Sequence, residues 1–309
     1  MILCCGEALI DMIPKPTVEG GQEGFVPHSG GAVFNTAIAL GRLGTQVGMV
    51  TGLSSDMFGQ QLTSALQASH VDTSRVIRSD RPTTLAFVKL TDGHATYFFF
   101  DENTAGRLIA PDDLPSLSGD VSALFFGGIS LAVDPCADTY ATLLDREGAS
   151  RAVMLDPNIR PGFIKDVDRY RARLAAMLAG TDIVKVSDED LNWIFPGPES
   201  LADKLDQMRA TGPKVVLLTR GGEGATGYLA DGRAVAVAAP KVQTVDTVGA
   251  GDTFNAGVLA SLSEQGCLTK DGIAALTEPQ IRAALDLAAR AAAVTVTRAG
   301  ANPPWREEI

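Results

Sequence analysis

The sequence predicts an α/β protein with a mostly parallel sheet covered by helices on both faces, and three observations carry that prediction. Apolar strand-like runs at Val47 to Thr51, Ala123 to Phe126, Ala152 to Asp156, Asp182 to Val186 and Val215 to Thr219 recur along the chain. Between them lie helical stretches with apolar faces, at Phe34 to Leu43, Gln60 to Ser69, Asp168 to Leu178, Ser200 to Ala210 and Gln280 to Val294. A hydrophobic content of 45% over 309 residues is enough for one large α/β unit or two domains.

Taken in order, the chain opens with Ile2-Leu3-Cys4-Cys5, an apolar strand-like run in which small thiols fit as buried, reduced residues. Cys4, Cys5, Cys136 and Cys267 lack metal-ligand spacing, and His28, His70 and His94 are scattered, so a histidine metal centre or a Ser-His-Asp triad has little material. The N-terminus has neither a basic region nor an extended apolar one, and no apolar run approaches a membrane span, so a cytoplasmic protein is expected. A formal charge of -11 argues against nucleic-acid or membrane partners, which require a basic face. Asp11 interrupts the next apolar strand, and the segment from Asp11 to Ser29 is rich in Gly, Pro and polar residues without a helix pattern. Thr83 to Lys89 and Thr96 to Phe100 flank Asp92-Gly93, a hairpin signal. Together these form a small β layer over about 12–29 and 83–102, beside a single domain spanning 1–309. Alternation puts Phe98 and Phe100 on one of its faces and Tyr97 and Phe99 on the other. An apolar outer face would let this layer pair with a second copy as a homodimer.

The chemistry concentrates near the C-terminus. In Asp246-Thr247-Val248-Gly249-Ala250-Gly251-Asp252, small residues at 249–251 let backbone N–H groups crowd around one point. The following Phe254, Val258, Leu259 and Leu262 give a helical apolar face. That is an anion hole at a helix start, with Asp252 beside it, suited to deprotonating a hydroxyl that attacks a phosphoryl group. Taken alone, the segment reads first as a βα turn with an Asp cap.

Other motifs supply context. Gly222-Glu223-Gly224-Ala225-Thr226-Gly227 fits G-x-G-x-x-G, but Tyr228-Leu229 and Arg233 to Ala238 flank Asp231-Gly232 as a hairpin where a dinucleotide site needs a helix. The G-x-x-x-x-G-K-[ST] phosphate loop is absent. Gly30-Gly31 precede a helix carrying Asn35 in its first turn, a donor and acceptor for a polyol. Asp11 would be satisfied by two vicinal sugar hydroxyls, or it caps a loop. In Asp156-Pro157-Asn158-Ile159-Arg160-Pro161, prolines restrain a polar cluster in which Arg160 can grip hydroxyls or a carboxylate. Lys185-Val186-Ser187-Asp188-Glu189-Asp190 ends a strand and opens a helix; its carboxylates either hold a hydrated Mg²⁺ through water, or are ordinary first-turn acids.

With both glycine motifs in place, the chain resembles the PfkB (ribokinase-like) carbohydrate kinases along essentially its whole length. Asp246 to Phe254 resembles the family's C-terminal signature and Gly30 to Gly44 its N-terminal one. The resemblance implies a three-layer α/β/α sandwich with a small β lid, ATP and Mg²⁺, and transfer of the γ-phosphoryl group to a sugar. It assigns Asp252 as catalytic base, with Gly249, Ala250 and Gly251 as the anion hole. It implies sugar contacts at Asp11, Gly30, Gly31, Asn35, Phe100, Arg107, Asn158 and Arg160. Nucleotide contacts are implied at Lys185, Ser187, Thr219, Gly221, Gly224, Gly249, Gly251 and Asn302. Asp190 would hold Mg²⁺ through water, and Asp246, Val248, Arg298 and Gly300 a monovalent cation such as K⁺. Ser187 to Asp190 stands where the family commonly has N-x-x-E. Within the family the chain is most similar to bacterial fructokinases, with 2-keto-3-deoxygluconate kinases next; a sugar-phosphate acceptor would need cations for which Arg107, Arg160 and Lys89 are the candidates. A catalytically silent sugar sensor and a nicotinamide dehydrogenase are the competing classes, and the intact Asp252 turn and the hairpin after Gly227 count against them.

Overall fold

The computed structural model describes residues 1–16, 23–91 and 94–309. Strands run in chain order β1 (Ile2–Cys5), β2 (Leu9–Pro16), β3 (Glu23–Gly30), β4 (Val47–Val50), β5 (Gly52–Ser54), β6 (Val71–Asp72), β7 (Ile77–Ser79), β8 (Leu85–Thr91), β9 (His94–Phe100), β10 (Ala123–Gly127), β11 (Ala152–Asp156), β12 (Ile183–Ser187), β13 (Val215–Thr219), β14 (Ala225–Tyr228) and β15 (Ala234–Val237). Helices are α1 (Ala32–Arg42), α2 (Met57–Ala68), α3 (Cys136–Glu147), α4 (Val167–Ala179), α5 (Asp188–Ile194), α6 (Leu201–Ala210), α7 (Ala250–Glu264), α8 (Lys270–Ala274) and α9 (Glu278–Val296).

The large sheet has the order β15-β14-β13-β12-β11-β10-β1-β4-β6. Its pairs from β13 to β6 are parallel, and β14 and β15 are antiparallel at one edge, as the Asp231-Gly232 turn predicts. Period-two alternation divides the core cleanly. Ile2, Cys4, Phe125, Met154 and Leu217 face the layer containing α1, α7 and α9, whereas Leu3, Cys5, Phe126, Leu155 and Leu218 face the layer of α3, α4 and α6. Each fully buried Leu, Ile or Phe contributes on the order of 2 kcal/mol, so both faces must be covered for the strands to be stable. Helices α3 and α8 and the short strands β5, β6 and β7 add to the elements foreseen. Among the described residues, no helix is long and apolar enough to cross a membrane.

The second sheet, β3-β2-β8-β9, is the predicted small β layer. Strands β8 and β9 pair antiparallel from Leu85↔Phe100 to Thr91↔His94. The Asp92-Gly93 turn, the stretch 17–22 and the side chains of Lys89 and Tyr97 lie outside the described residues. Pairing of Asp11 with Ala86 and of Ala86 with Phe99 puts these three on one face. Phe87 and Phe98 share the opposite face, where Phe87 also makes edge contacts with Phe25 at 5.0 Å and Phe100 at 5.4 Å.

Candidate active site

Parallel strands direct their C-terminal ends to one rim of the sheet, which is where open α/β sheets bind ligands. At this rim a cavity of about 340 Å³ is lined by Glu7, Leu9, Asp11, Gly31, Ala32, Phe99, Ile129, Asp156, Asn158, Arg160, Phe163, Lys185, Thr247, Val248, Gly249, Gly251 and Asp252. Residues from both sheets and from segments hundreds of positions apart therefore meet in one space.

Its two walls are the starts of two packed helices. Helix α1 begins after Gly31, whose φ of 107° places it in the region that glycine tolerates best. Helix α7 begins after Gly249, at φ 78° in the left-handed region, where a Cβ would lie 2.7 Å from that of Ala301. First-turn N–H groups have no partner within their helix, so Gly249, Gly251 and Asp252 present donors and the positive end of a dipole to the cavity. Ala250 does not line it, and its N–H donates to the Thr247 carbonyl at 3.3 Å.

Across the gap, Asn35 Nδ2 donates to Asp252 Oδ2 at 2.9 Å, and Thr36 Oγ1 donates to the Asp252 carbonyl at 3.2 Å. Burial pushes the Asp252 carboxyl up; the Asn35 hydrogen bond opposes this, and the balance lies at about 7. A carboxyl poised there exchanges a proton readily at neutral pH. Beneath it, Lys185 Nζ donates to Asp156 Oδ2 at 3.0 Å, and Asn255 Nδ2 donates to the same oxygen at 2.7 Å. Burial pulls the Lys185 ammonium down, but Asp156, Asp190 and Asp252 outweigh it and leave its pKa raised, so the lysine is charged. Its Nζ lies 3.3 Å from the position a Cβ would take on Gly251, directly under the helix start.

At the sugar end predicted from the sequence, Asp11 sits on β2 paired opposite His28, and burial alone pushes its carboxyl up to about 6. A Cβ on Gly30 would fall 2.1 Å from Asp11 Oδ2, which explains the first of the two glycines.

A carboxyl that exchanges a proton near neutral pH, beside a helix start and over a buried cation, is suited to phosphoryl transfer to a hydroxyl. Residues 1–308 match the family described as pfkB family carbohydrate kinase. The chain belongs to that family. A fructokinase of Rhizobium leguminosarum bv. trifolii is 54% identical over 286 residues, covering 91% of this chain and 86% of that protein. Fructokinase-1 of Zea mays is 32% identical over 321 residues, covering 100% of this chain and 96% of that one. Among solved structures, the fructokinase of Xylella fastidiosa with bound ATP is similar with a TM-score of 0.87 at 30% identity, covering 97% of this chain and 93% of that chain. This protein is an ATP-dependent sugar kinase with the ribokinase-like fold.

The kinase cavity brings together Asp11, Gly31, Asn158, Arg160, Lys185, Val248, Gly249, Gly251 and Asp252 from the sequence-derived set, with Gly30 and Asn35 packed directly behind. Other members of that set lie elsewhere. Phe100 is on the outer face of the small sheet and 61% exposed; Phe99, one residue earlier, lines the cavity and packs edge-on against Phe163 at 4.1 Å. Strand alternation foretold that the two differ but not which one faces in. Arg107 pairs with Asp101 at 3.0 Å and donates to the Asp134 carbonyl, lining a neighbouring outer cavity, with Phe100, that shares Phe99, Arg160 and Phe163 with this one. Asp190 does not line the site: Oδ1 accepts the Ile159 N–H at 2.9 Å and Oδ2 accepts the Ser187 N–H and Oγ, closing a capping box on α5. That pattern makes Ser187 and Asp190 supports of the loop carrying Asn158 and Arg160.

Thr219, Gly221 and Gly224 follow one another at the β13 end, where the Arg220 N–H donates to the Gly224 carbonyl and Thr219 Oγ1 to that of Val186. Asn302 is exposed and accepts from Arg42 Nη1 at 2.8 Å. Asp246 accepts the N–H groups of Val248 and Gly300, drawing those predicted cation-site residues together, while Arg298 pairs with Glu308. Sequence reasoning missed Glu7, Asp156, Phe99 and Phe163. Glu7 and Asp156 had the signal that exposed Asp11, an acid at the end of an apolar strand; the two aromatics had none.

Proposed function

We propose that this kinase transfers the γ-phosphoryl group of ATP to a hydroxymethyl of D-fructose, with Asp252 as the base. The observation that carries this is Asp252 itself: buried, held by Asn35, poised near pH 7, and one residue beyond the Gly249–Gly251 helix start. Asp252 takes the proton as the hydroxyl attacks, the N–H groups of that helix start meet the negative charge, and Lys185 adds a fixed cation below. The similarity to fructokinases supports fructose over other acceptors. So does the charge balance of the cavity. Four carboxyl groups, Glu7, Asp11, Asp156 and Asp252, face two cations, Lys185 and Arg160, and Lys185 is already paired, which favours a neutral polyol over a keto-acid or a sugar phosphate. An ADP-release screen over fructose, 2-keto-3-deoxygluconate, ribose, adenosine and fructose 1-phosphate tests it. Fructose is expected to be the best acceptor, and a strong preference for the keto-acid or a phosphorylated sugar overturns the assignment.

Magnesium is proposed to arrive with ATP, where it neutralises phosphate charge. Mg²⁺ is usually held by one or two carboxylates, waters and the substrate's phosphates. A K⁺ requirement is proposed at the Asp246, Val248 and Gly300 turn. Phe25, Phe98 and Phe100, all exposed on the small sheet beside Phe87, support a homodimer through that face.

A further inference from the structure

Two cavities adjoin at the binding rim. The inner one, of about 340 Å³, holds Asp252 and the start of α7, and an outer one of about 1080 Å³ lies beside it. Asp11, Lys185 and Asp252 line only the inner cavity, and Arg107, Lys165 and Arg173 only the outer. Phe99, Arg160 and Phe163 line both, so these three side chains stand between the two spaces.

That wall is built from both sheets. Phe99 comes from β9 of the small sheet and Phe163 from the short turn Pro161–Phe163 that follows β11 of the large one, and their rings meet edge-on with centroids 4.1 Å apart. The Phe163 half is fixed to its own loop. Its N–H donates to the Arg160 carbonyl at 2.9 Å, and the Ile159 N–H donates to Asp190 Oδ1 at 2.9 Å. Pro157 and Pro161 restrict the backbone on either side of Arg160.

Volume decides what the inner space can hold. Small-molecule pockets span roughly 300–1,000 Å³. At about 340 Å³ the inner cavity is near the low end, and it must also admit the phosphoryl group in transfer. One sugar ring suits it. The outer cavity is about three times as large and is bordered by the exposed Pro161, Gly162 and Lys165, so it has room for a further ring. The edges of two phenyl rings also give a second sugar ring no partner for its hydroxyls, which would lose their hydrogen bonds to water.

We propose that the Phe99–Phe163 pair is a size filter for the acceptor: it closes the inner cavity behind a monosaccharide and excludes a ketose carrying a second sugar ring, which the outer cavity would otherwise house. This rests on the sugar-kinase reading above.

The test measures ADP release by wild type, Phe163→Ala, Phe99→Ala and the double variant with fructose and with turanose and maltulose, fructose bearing a glucosyl group on O3 and O4. The monosaccharides are assayed first with wild type alone; a preference for a sugar other than fructose overturns only the fructose assignment, and the glucosyl derivatives of that sugar then take the place of these two. Wild type should use either disaccharide about 100-fold or more worse than the monosaccharide in kcat/KM. At least one variant should raise kcat/KM for a disaccharide by about 10-fold or more while that for the monosaccharide does not rise and KM for ATP stays within about twofold. Loss of packing alone lowers activity with every acceptor and does not produce that gain. The two rings sit on different elements, so if one variant fails to fold the other still gives the comparison. A smaller gap in wild type, or no such gain in any variant that folds, overturns the filter and leaves the ring pair as packing between the two sheets.

Discussion

Asp252 shows how one burial event produces both reactivity and cost. Its carboxyl would titrate near 3.8 in the unfolded chain and does so at about 7 in the folded one. A raised folded pKa gives stability that is complete below 3.8 and lost as pH climbs through 7, so the charged base is held against its solvation preference. Asp252→Asn should therefore lower kcat by about 1,000-fold or more while calorimetry still detects sugar binding. The same variant should melt higher than wild type at pH 8.5, by on the order of 2 kcal/mol of stability, with the gain shrinking at pH 5. In wild type, kcat/KM should rise with pH through about 7 and then level off. A flat profile, or near-normal turnover of the variant, would remove Asp252 from the reaction.

At the level of elements, the site is an agreement between two helix starts. Gly249 and Gly31 have positive φ, and each lets the chain turn sharply enough for the first-turn residues of α7 and α1 to face one another. Gly249→Ala would need a strained left-handed alanine and would push its Cβ against Ala301 in the segment that Asp246 ties down through Gly300. The expected outcome is a rise in KM for ATP of about 10-fold or more and a loss of roughly 1–3 kcal/mol in thermal unfolding, with sugar affinity little changed. Unaltered ATP kinetics would show that this turn does not shape the nucleotide end. Both glycine turns were legible because local chemistry demands them: only certain residues fit a sharp turn into a helix. The capping box of Ser187 and Asp190 has an equally local signature, yet whether such acids point to a metal or back to their own helix depends on the Ile159 N–H, which the loop after β11 delivers.

Viewed as a whole, the molecule is a large sheet with a four-stranded sheet across its binding rim, and the small sheet has two unlike faces. One carries Asp11 and Phe99 toward the cavity at the rim; the other exposes Phe98 and Phe100 at 52% and 61%. If the proposed dimer forms through this face, replacing both exposed rings, Phe98→Lys with Phe100→Lys, should yield a monomer in light scattering with little change in melting temperature, because neither ring is buried within one chain. A wild type already monomeric at micromolar concentration would dispose of the dimer. The sequence alone determined the α/β class and the parallel sheet, and it singled out Asp11, Gly249, Gly251 and Asp252, which the structure brings to one cavity. Each follows from short-range rules: side-chain period, turn chemistry, or the cost of a carboxyl in an apolar run. Only the tertiary structure decided that Phe99 lines the cavity and Phe100 does not, that Arg107 braces Asp101 and the Asp134 loop, and that Asn255, Asp156 and Lys185 converge beneath the helix start. Strand alternation distinguishes two faces without saying which is inward, and hydrogen bonds between residues about 100 positions apart form only when sheet and helices have packed.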